Sequence, residues 1–212
     1  EGLGNFSAFL APSQNITVNG DLTLSGSTGG TGSAGSRIGG FKDQATNLTL
    51  TVHGNITLNG GDVANAGSAL GSSNNSATPQ NADVTINADG DVTLNGGTAA
   101  GTRIGSPSGL VGGGTIIVNA GLGGAGNIAF NVNGTTGGAI RTTGSVDLQA
   151  TNGQITQAGA AAKLGDAVGP FDEYDRGRIA GVFFEADLFE VARVLEAIGV
   201  DMADASDSPL FC

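Results

Sequence analysis

A four-residue phrase returns down this chain at nearly constant spacing: Asp21-Leu-Thr-Leu24, Asn55-Ile-Thr-Leu58, Asp91-Val-Thr-Leu94 and Asn127-Ile-Ala-Phe130. The steps are 34, 36 and 36 residues, a period that marks stacked repeats rather than one globular core. Each period carries three apolar beats. The first is Ile16-Thr-Val18, Leu48-Thr-Leu50, Val84-Thr-Ile86 and Ile116-Ile-Val118, which align with one another as equivalents. The second is the phrase itself, with Thr23, Thr57, Thr93 and Ala129 between its aliphatic residues. The third is Arg37-Ile-Gly39, Ala69-Leu-Gly71, Arg103-Ile-Gly105 and Ala139-Ile-Arg141.

Period-two alternation in beats one and two predicts strands with aliphatic side chains on one face and threonines on the other. Corners at Asn19-Gly20, Gly54 and Asp89-Gly90 supply residues that tolerate positive φ. Long Gly/Ser/Thr segments separate beats two and three. The expected fold is therefore all-β: a parallel β-helix of about four to five coils over residues 15–162, right-handed by the bias of parallel crossovers. Stacked rungs about 4.8 Å apart bury a column of Leu, Ile and Val. An antiparallel β-sandwich is the structural competitor, but it gives no reason for a three-beat order to recur at this period. The repeat ends in a shorter coil at Val146-Asp-Leu148 and Ile155-Thr-Gln157.

Residues 163–212 differ in composition. Of the net charge of −11, they contribute 11 acids and 4 bases, against 8 acids and 4 bases in residues 1–162. Phe184, Leu188, Val191, Leu195 and Ile198 fall at helical spacing, so one amphipathic helix is expected over about 184–198, ending at Gly199. The segment is read as an acidic cap over the open end of the column, which otherwise exposes unpaired strand edges. Recognition of a partner or a secretion pore is the other use such a helix could have. Residues 1–14 are a partial coil, an N-terminal cap or an arm that pairs with another molecule. Phe6, Phe9 and Leu10 are its candidate partner or polymer contacts.

With 39 glycines in 212 residues, no Trp, one Tyr and nine Phe, the chain cannot build a large aromatic core. An acidic chain without a basic stripe is poorly suited to nucleic acid or to anionic membrane surfaces. No segment approaches the roughly 20 apolar residues of a membrane span. The start, Glu1-Gly-Leu-Gly, has no basic and apolar leader pattern, so the expectation is a chain whose leader has been removed or a portion of a longer one. The single cysteine, Cys212, allows no internal disulfide. It is a free thiol, an intermolecular bridge or simply the last residue.

Chemical motifs are few. Gly30-Thr-Gly32-Ser-Ala-Gly35 satisfies a dinucleotide pattern, but Ser36-Arg-Ile-Gly-Gly40 follows where a helix N-terminus is needed to hold phosphate. Asp21 and Asp91 stand in register, yet Asn55 and Asn127 alternate with them, which reads as turn chemistry rather than a carboxylate pair for glycosidic catalysis. Asp83, Asp89 and Asp91 lie close together without surrounding bases. Arg37 and Arg103, two coils apart, either bind an anionic sugar or keep the sheet face soluble. The lone His53 has no second His and no Cys to share a metal, and the acidic run Asp172-Glu-Tyr-Asp175 lacks the ligand spacing of a calcium loop. No cofactor or metal is expected. Asn15, Asn47, Asn55 and Asn133, with Asn5 and Asn74, begin Asn-X-Ser/Thr sequons and are weak candidate glycosylation sites.

The phrases Asn55-Ile-Thr-Leu-Asn-Gly-Gly61 and Asp91-Val-Thr-Leu-Asn-Gly-Gly97, followed by Ser145-Val-Asp-Leu-Gln-Ala-Thr-Asn-Gly-Gln-Ile155, resemble the filamentous-haemagglutinin-like exoproteins of bacterial two-partner secretion. The likeness spans about residues 15–160. It implies a distal portion of a secreted right-handed β-helix, acting as an adhesin or surface stalk and exported through an outer-membrane pore. The periods here are longer than that family's, and its amino-terminal secretion domain is not in the sequence. The functional expectation is a non-enzymatic solenoid, extracellular or on a bacterial cell surface, whose partner is a host or cell-surface glycan or protein. Two alternatives stand beside it. One is a subunit of a self-assembling filament, joined by strand addition or end-to-end stacking, whose partner is the chain itself. The other is a carbohydrate-active β-helix enzyme.

Overall fold

The computed structural model describes residues 8–29, 35–74, 76–159 and 161–164. The expected C-terminal cap, its 184–198 helix and Cys212 lie outside these residues, as do Asn5, Phe6 and the acidic run at 172–175.

Sixteen strands among the described residues, β1 to β16 in chain order, form three parallel files. The first file stacks β1 (Ala8–Leu10), β4 (Arg37–Gly39), β7 (Ala69–Gly71), β10 (Thr102–Gly105), β13 (Thr136–Arg141) and β16 (Lys163–Leu164). The second stacks β2 (Ser13–Val18), β5 (Thr46–Val52), β8 (Ala82–Ala88), β11 (Ile116–Ala120) and β14 (Val146–Ala150). The third stacks β3 (Leu22–Ser25), β6 (Ile56–Asn59), β9 (Val92–Asn95), β12 (Ile128–Asn133) and β15 (Ile155–Gln157). The fold is a β-solenoid of about four turns, and no helix occurs among the described residues. Parallel pairing within every file rules out the antiparallel sandwich. Among the described strands one antiparallel pair joins β12 to β13, where Val132 meets Gly137 and Asn133 meets Thr136 across a tight turn.

The core is a single column. In the third file Leu24, Leu58, Leu94 and Phe130 are consecutive register partners, as are Leu22, Ile56, Val92 and Ile128. The second and first files add Leu50, Ile86 and Val118, and Ile38, Leu70, Ile104 and Ile140. Residues of the middle coils are fully buried, each side chain contributing about 1.5–3 kcal/mol by leaving water. Burial falls at both ends of the described column. Ile16, Val18, Leu22 and Leu24 are only partly buried, Val146 is 39% exposed and Phe9 is 72% exposed, the outermost described rungs having a described neighbour on one side only.

The register of beat one departs from the sequence alignment. Ile16 pairs with Leu50 and Val18 with Val52, leaving Gln14 opposite Leu48. A slip of two residues keeps every side chain on its own face, so alternation does not distinguish the two registers. Turn length does. Three residues separate Val18 from Leu22, Val52 from Ile56 and Ala88 from Val92, and equal turns stack only when Val18, Val52 and Ala88 share a file position.

The corner glycines also have a different reason from the one expected. Gly20 has φ of +128°, but Gly54 and Gly90 do not have positive φ. A Cβ at Gly54 would lie 2.5 Å from Asp21 Oδ1, and one at Gly90 would collide with Asn55 Oδ1. Close approach of the neighbouring coil's side chain, not backbone conformation, excludes larger residues there. True conformational demand lies at the end of the first file. Gly39, Gly71 and Gly105 have φ of +147°, +136° and +97°, and a Cβ on any of them would strike the carbonyl oxygen of the next coil.

Candidate anion-binding pocket

The corner between the second and third files carries the carboxylates considered for catalysis. Asp21 Oδ1 accepts the Asn55 backbone N–H at 2.7 Å and the Asn55 Nδ2–H at 3.1 Å. Asn55 Oδ1 accepts the Asp91 N–H at 2.9 Å. Asp91 Oδ1 accepts the Asn127 N–H and Nδ2–H at 2.7 and 3.0 Å, and Asn127 Oδ1 accepts the Gln154 N–H at 3.0 Å. One Asx side chain per coil thus satisfies the amide that the turn leaves over. Alternating Asn with Asp keeps carboxylates two rungs, or about 10 Å, apart. Asp83 accepts the Thr115 N–H, Asp43 the Ala77 N–H and Asp62 the Gly29 N–H. Asp89 faces His53 at 2.9 Å, with both side chains partly exposed. Among the described residues no group of three or more His, Cys, Asp or Glu is placed to hold a metal ion.

Outward positions of the third file form polar ranks. Thr23, Thr57 and Thr93 are in register, and beside them Asn95 donates to Asn59 and Asn131 to Asn95, each at 2.9 Å. In the second file Asn119 donates to Asn87 in the same way. The sequons fall on varied ground. Asn15 and Asn47 are exposed in β2 and β5, and Asn133 is exposed at the β12–β13 turn. The amide of Asn55 is committed to the corner and that of Asn74 lies against Arg103. Of the first-segment contacts, Phe9 and Leu10 lie in β1, where Phe9 pairs with Ile38 and Leu10 with Gly39. Gly35, the one described residue of the glycine motif's end, leads into strand β4 rather than into a helix.

The first file is chemically distinct. All three arginines of the described residues, Arg37, Arg103 and Arg141, lie in it. Arg103 is not a solubilising side chain: it is only 6% exposed. Its guanidinium donates to the Gly105 carbonyl, to the Ser72 carbonyl at 2.7 Å and to Asn74 Oδ1. Arg37 reaches the same loop from the preceding coil, donating to Ser73 Oγ at 3.0 Å, while its buried Nε makes no hydrogen bond. Every one of these acceptors is neutral. Burial first, and then the charges of Arg37 and Arg141, push the Arg103 pKa down to about 9; burial lowers that of Arg37 as well. Beside Arg103 lies a cavity of about 370 Å³, walled by Arg103, Arg141, Asn65, Asn74, Ser68 and Ser108 among others.

The register of the third beat, with Arg37, Ala69, Arg103 and Ala139 in one file, agrees with the sequence alignment. The 72–74 loop and Arg141 were not recognised as part of a site. The confinement of all three arginines to beat three was the available signal. Comparisons with protein-family profiles, with curated proteins and with solved structures give no match for this chain.

Proposed function

We propose that the chain is a non-catalytic, extracellular β-solenoid of a bacterial cell surface, wound right-handed, that presents regular polar ranks for adhesion. The hand rests on the strong bias of parallel crossovers. The observation that carries the reading is the in-register rank of Thr23, Thr57 and Thr93 beside the hydrogen-bonded rank of Asn59, Asn95 and Asn131. Hydroxyl and amide groups repeated at rung spacing suit a repetitive, hydroxyl-bearing partner such as a surface glycan. The non-catalytic part rests on the aspartates: Asp21, Asp43, Asp62, Asp83 and Asp91 each accept a backbone amide, which occupies them in holding coils together. Export through an outer-membrane pore follows from the sequence resemblance alone.

A second reading, a filament of solenoids, is favoured by the 72% exposed Phe9 on the terminal strand β1 and by the half-buried aliphatics of the first coil. A second copy added there would extend the column and add a strand beside β1.

The test is retention of the full chain, coupled to beads, on a panel of polyuronates, neutral glycans and bacterial or host cell surfaces, with glycan length followed in parallel. Retention without shortening is the expected result. Chain shortening assigns an enzyme, and no retention on any surface removes the adhesive reading. Electron microscopy and sedimentation across a concentration series decide the filament: a concentration-independent monomer eliminates it.

A further inference from the structure

The sequence holds five Asn-Gly pairs, beginning at Asn19, Asn59, Asn95, Asn133 and Asn152. Such a pair carries a latent reaction of its own. The glycine backbone nitrogen can reach the asparagine Cγ because no Cβ stands in the way, and closing a five-membered ring within one chain requires no second reactant to be brought in. The fold treats the five pairs unequally.

Asn59 and Asn95 are locked. The Gly60 N–H donates to the Asn95 carbonyl and the Gly96 N–H to the Asn131 carbonyl, each at 3.0 Å, so neither nitrogen is free to lose its proton and attack. The side-chain amides of both are joined in the rank Asn59, Asn95, Asn131. Backbone of the next coil also boxes in the two glycines: a Cβ on Gly60 would stand 2.1 Å from the Gly97 nitrogen, and one on Gly96 2.2 Å from the Thr136 carbonyl oxygen. Asn152 Nδ2 donates to the Gly124 carbonyl at 2.9 Å, and a Cβ on Gly153 would lie 2.1 Å from the Gly126 carbonyl oxygen. Asn19-Gly20 is packed on one side, where a Cβ on Gly54 would lie 2.7 Å from the Gly20 carbonyl carbon.

Asn133-Gly134 differs from all four. Asn133 ends β12 and is exposed, and Gly134, exposed too, opens the two-residue turn into β13. Gly134 has φ of +62° and nothing within 4 Å of the place a Cβ would occupy. The hairpin is two pairs deep, Val132 with Gly137 and Asn133 with Thr136, so little opposes the local opening that lets the Gly134 nitrogen turn onto Cγ.

We infer that Asn133-Gly134 is a self-modification site, at which the folded chain deamidates. Hydroxide removes the Gly134 N–H proton, the nitrogen bonds to Asn133 Cγ, the Cγ–Nδ2 bond breaks, and Nδ2 takes up a proton and leaves as ammonia. Water then opens the cyclic imide. Attack at Cγ gives an aspartate; attack at the main-chain carbonyl gives an isoaspartate, whose backbone runs through Cγ and is one atom longer. In sum, amide plus water becomes carboxylate plus ammonium. Either product adds a negative charge, and the longer backbone does not fit a turn whose Thr136 hydroxyl is bonded to the Gly97 carbonyl. The departing Nδ2 is also the atom that would carry a sugar in the sequon Asn133-Gly-Thr135, so a deamidated chain no longer offers that sequon. The inference is independent of the adhesive reading.

The test is incubation of the full chain at mildly alkaline pH, native and in denaturant, with each site followed by peptide mass spectrometry and isoaspartate read by isoaspartyl methyltransferase labelling. In denaturant all five pairs react at comparable rates. In the native chain Asn133 leads, and Asn59 and Asn95 lag by at least about tenfold, the effect of about two net hydrogen bonds that must break first. Asn133→Gln, an exposed change that leaves the melt unaltered, removes the leading label. No modification at Asn133 in the native chain while the denatured chain reacts, or any other pair reacting as fast as Asn133 in the native chain, overturns the assignment.

Discussion

Replacing Asn55 by Asp places three carboxylates on consecutive rungs of one corner, Asp21, the new Asp and Asp91. At about 4.8 Å in a solvent-exposed setting each adjacent pair repels by about 0.9 kcal/mol, and the two pairs by about 1.7 kcal/mol. The substitution also deletes the Asn55 Nδ2–H bond to Asp21, which contributes about 1 kcal/mol. At low salt the expected loss is therefore about 2.5 kcal/mol, or a fall of about 5–10 °C in Tm for a chain of this size. The repulsion exists only while these carboxyls are ionised. The penalty is accordingly full at neutral pH and disappears as pH falls below the ordinary carboxylate range. At 1 M salt, where the screening length is about 3 Å, roughly a fifth of the repulsion remains. Thermal melts of Asn55→Asp and the parent chain, paired at pH 7 and pH 3 and at low and high salt, measure this directly. A deficit of the same size at pH 3 and in high salt, or none at neutral pH, refutes the charge argument.

Two further predictions concern the core and the corners. Leu58→Ala, at a fully buried position between Leu24 and Leu94, costs about 2–5 kcal/mol in denaturant unfolding; a loss below 1 kcal/mol contradicts a packed column. Gly71→Ala combines a φ of +136° with a collision against the Gly105 carbonyl and costs about 3 kcal/mol or more, whereas Gly109→Ala, with φ +80° and open space around it, costs about 1–2 kcal/mol. Equal effects in the same melts contradict the close packing of that glycine file.

The third beat and the phrase at beat two were readable because aliphatic alternation and turn length agree there. Beat one was misaligned in its first coil because Gln14 interrupts the aliphatic pattern, and matching hydrophobicity favoured Leu48 where the turn demanded Leu50. The function of Gly54 and Gly90 was invisible for another reason: it depends on an oxygen from a residue 33 to 35 positions earlier. The arginine pocket was half legible. The pairing of Arg37 with Arg103 along one file followed from the period, but the burial of Arg103 depends on the loop at 72–74 folding over it. That loop, Ser-Ser-Asn, has no apolar pattern from which its position follows.

The corner ladder also limits how a gene for such a chain can lengthen. Excising the Asn55 coil sets two acids on adjacent floors, whereas two amides there can bond each other, as Asn59, Asn95 and Asn131 do. Duplication in doublets keeps each acid away from the next. An array of this kind therefore grows most readily by segments of about 70 residues, twice the period of its strands.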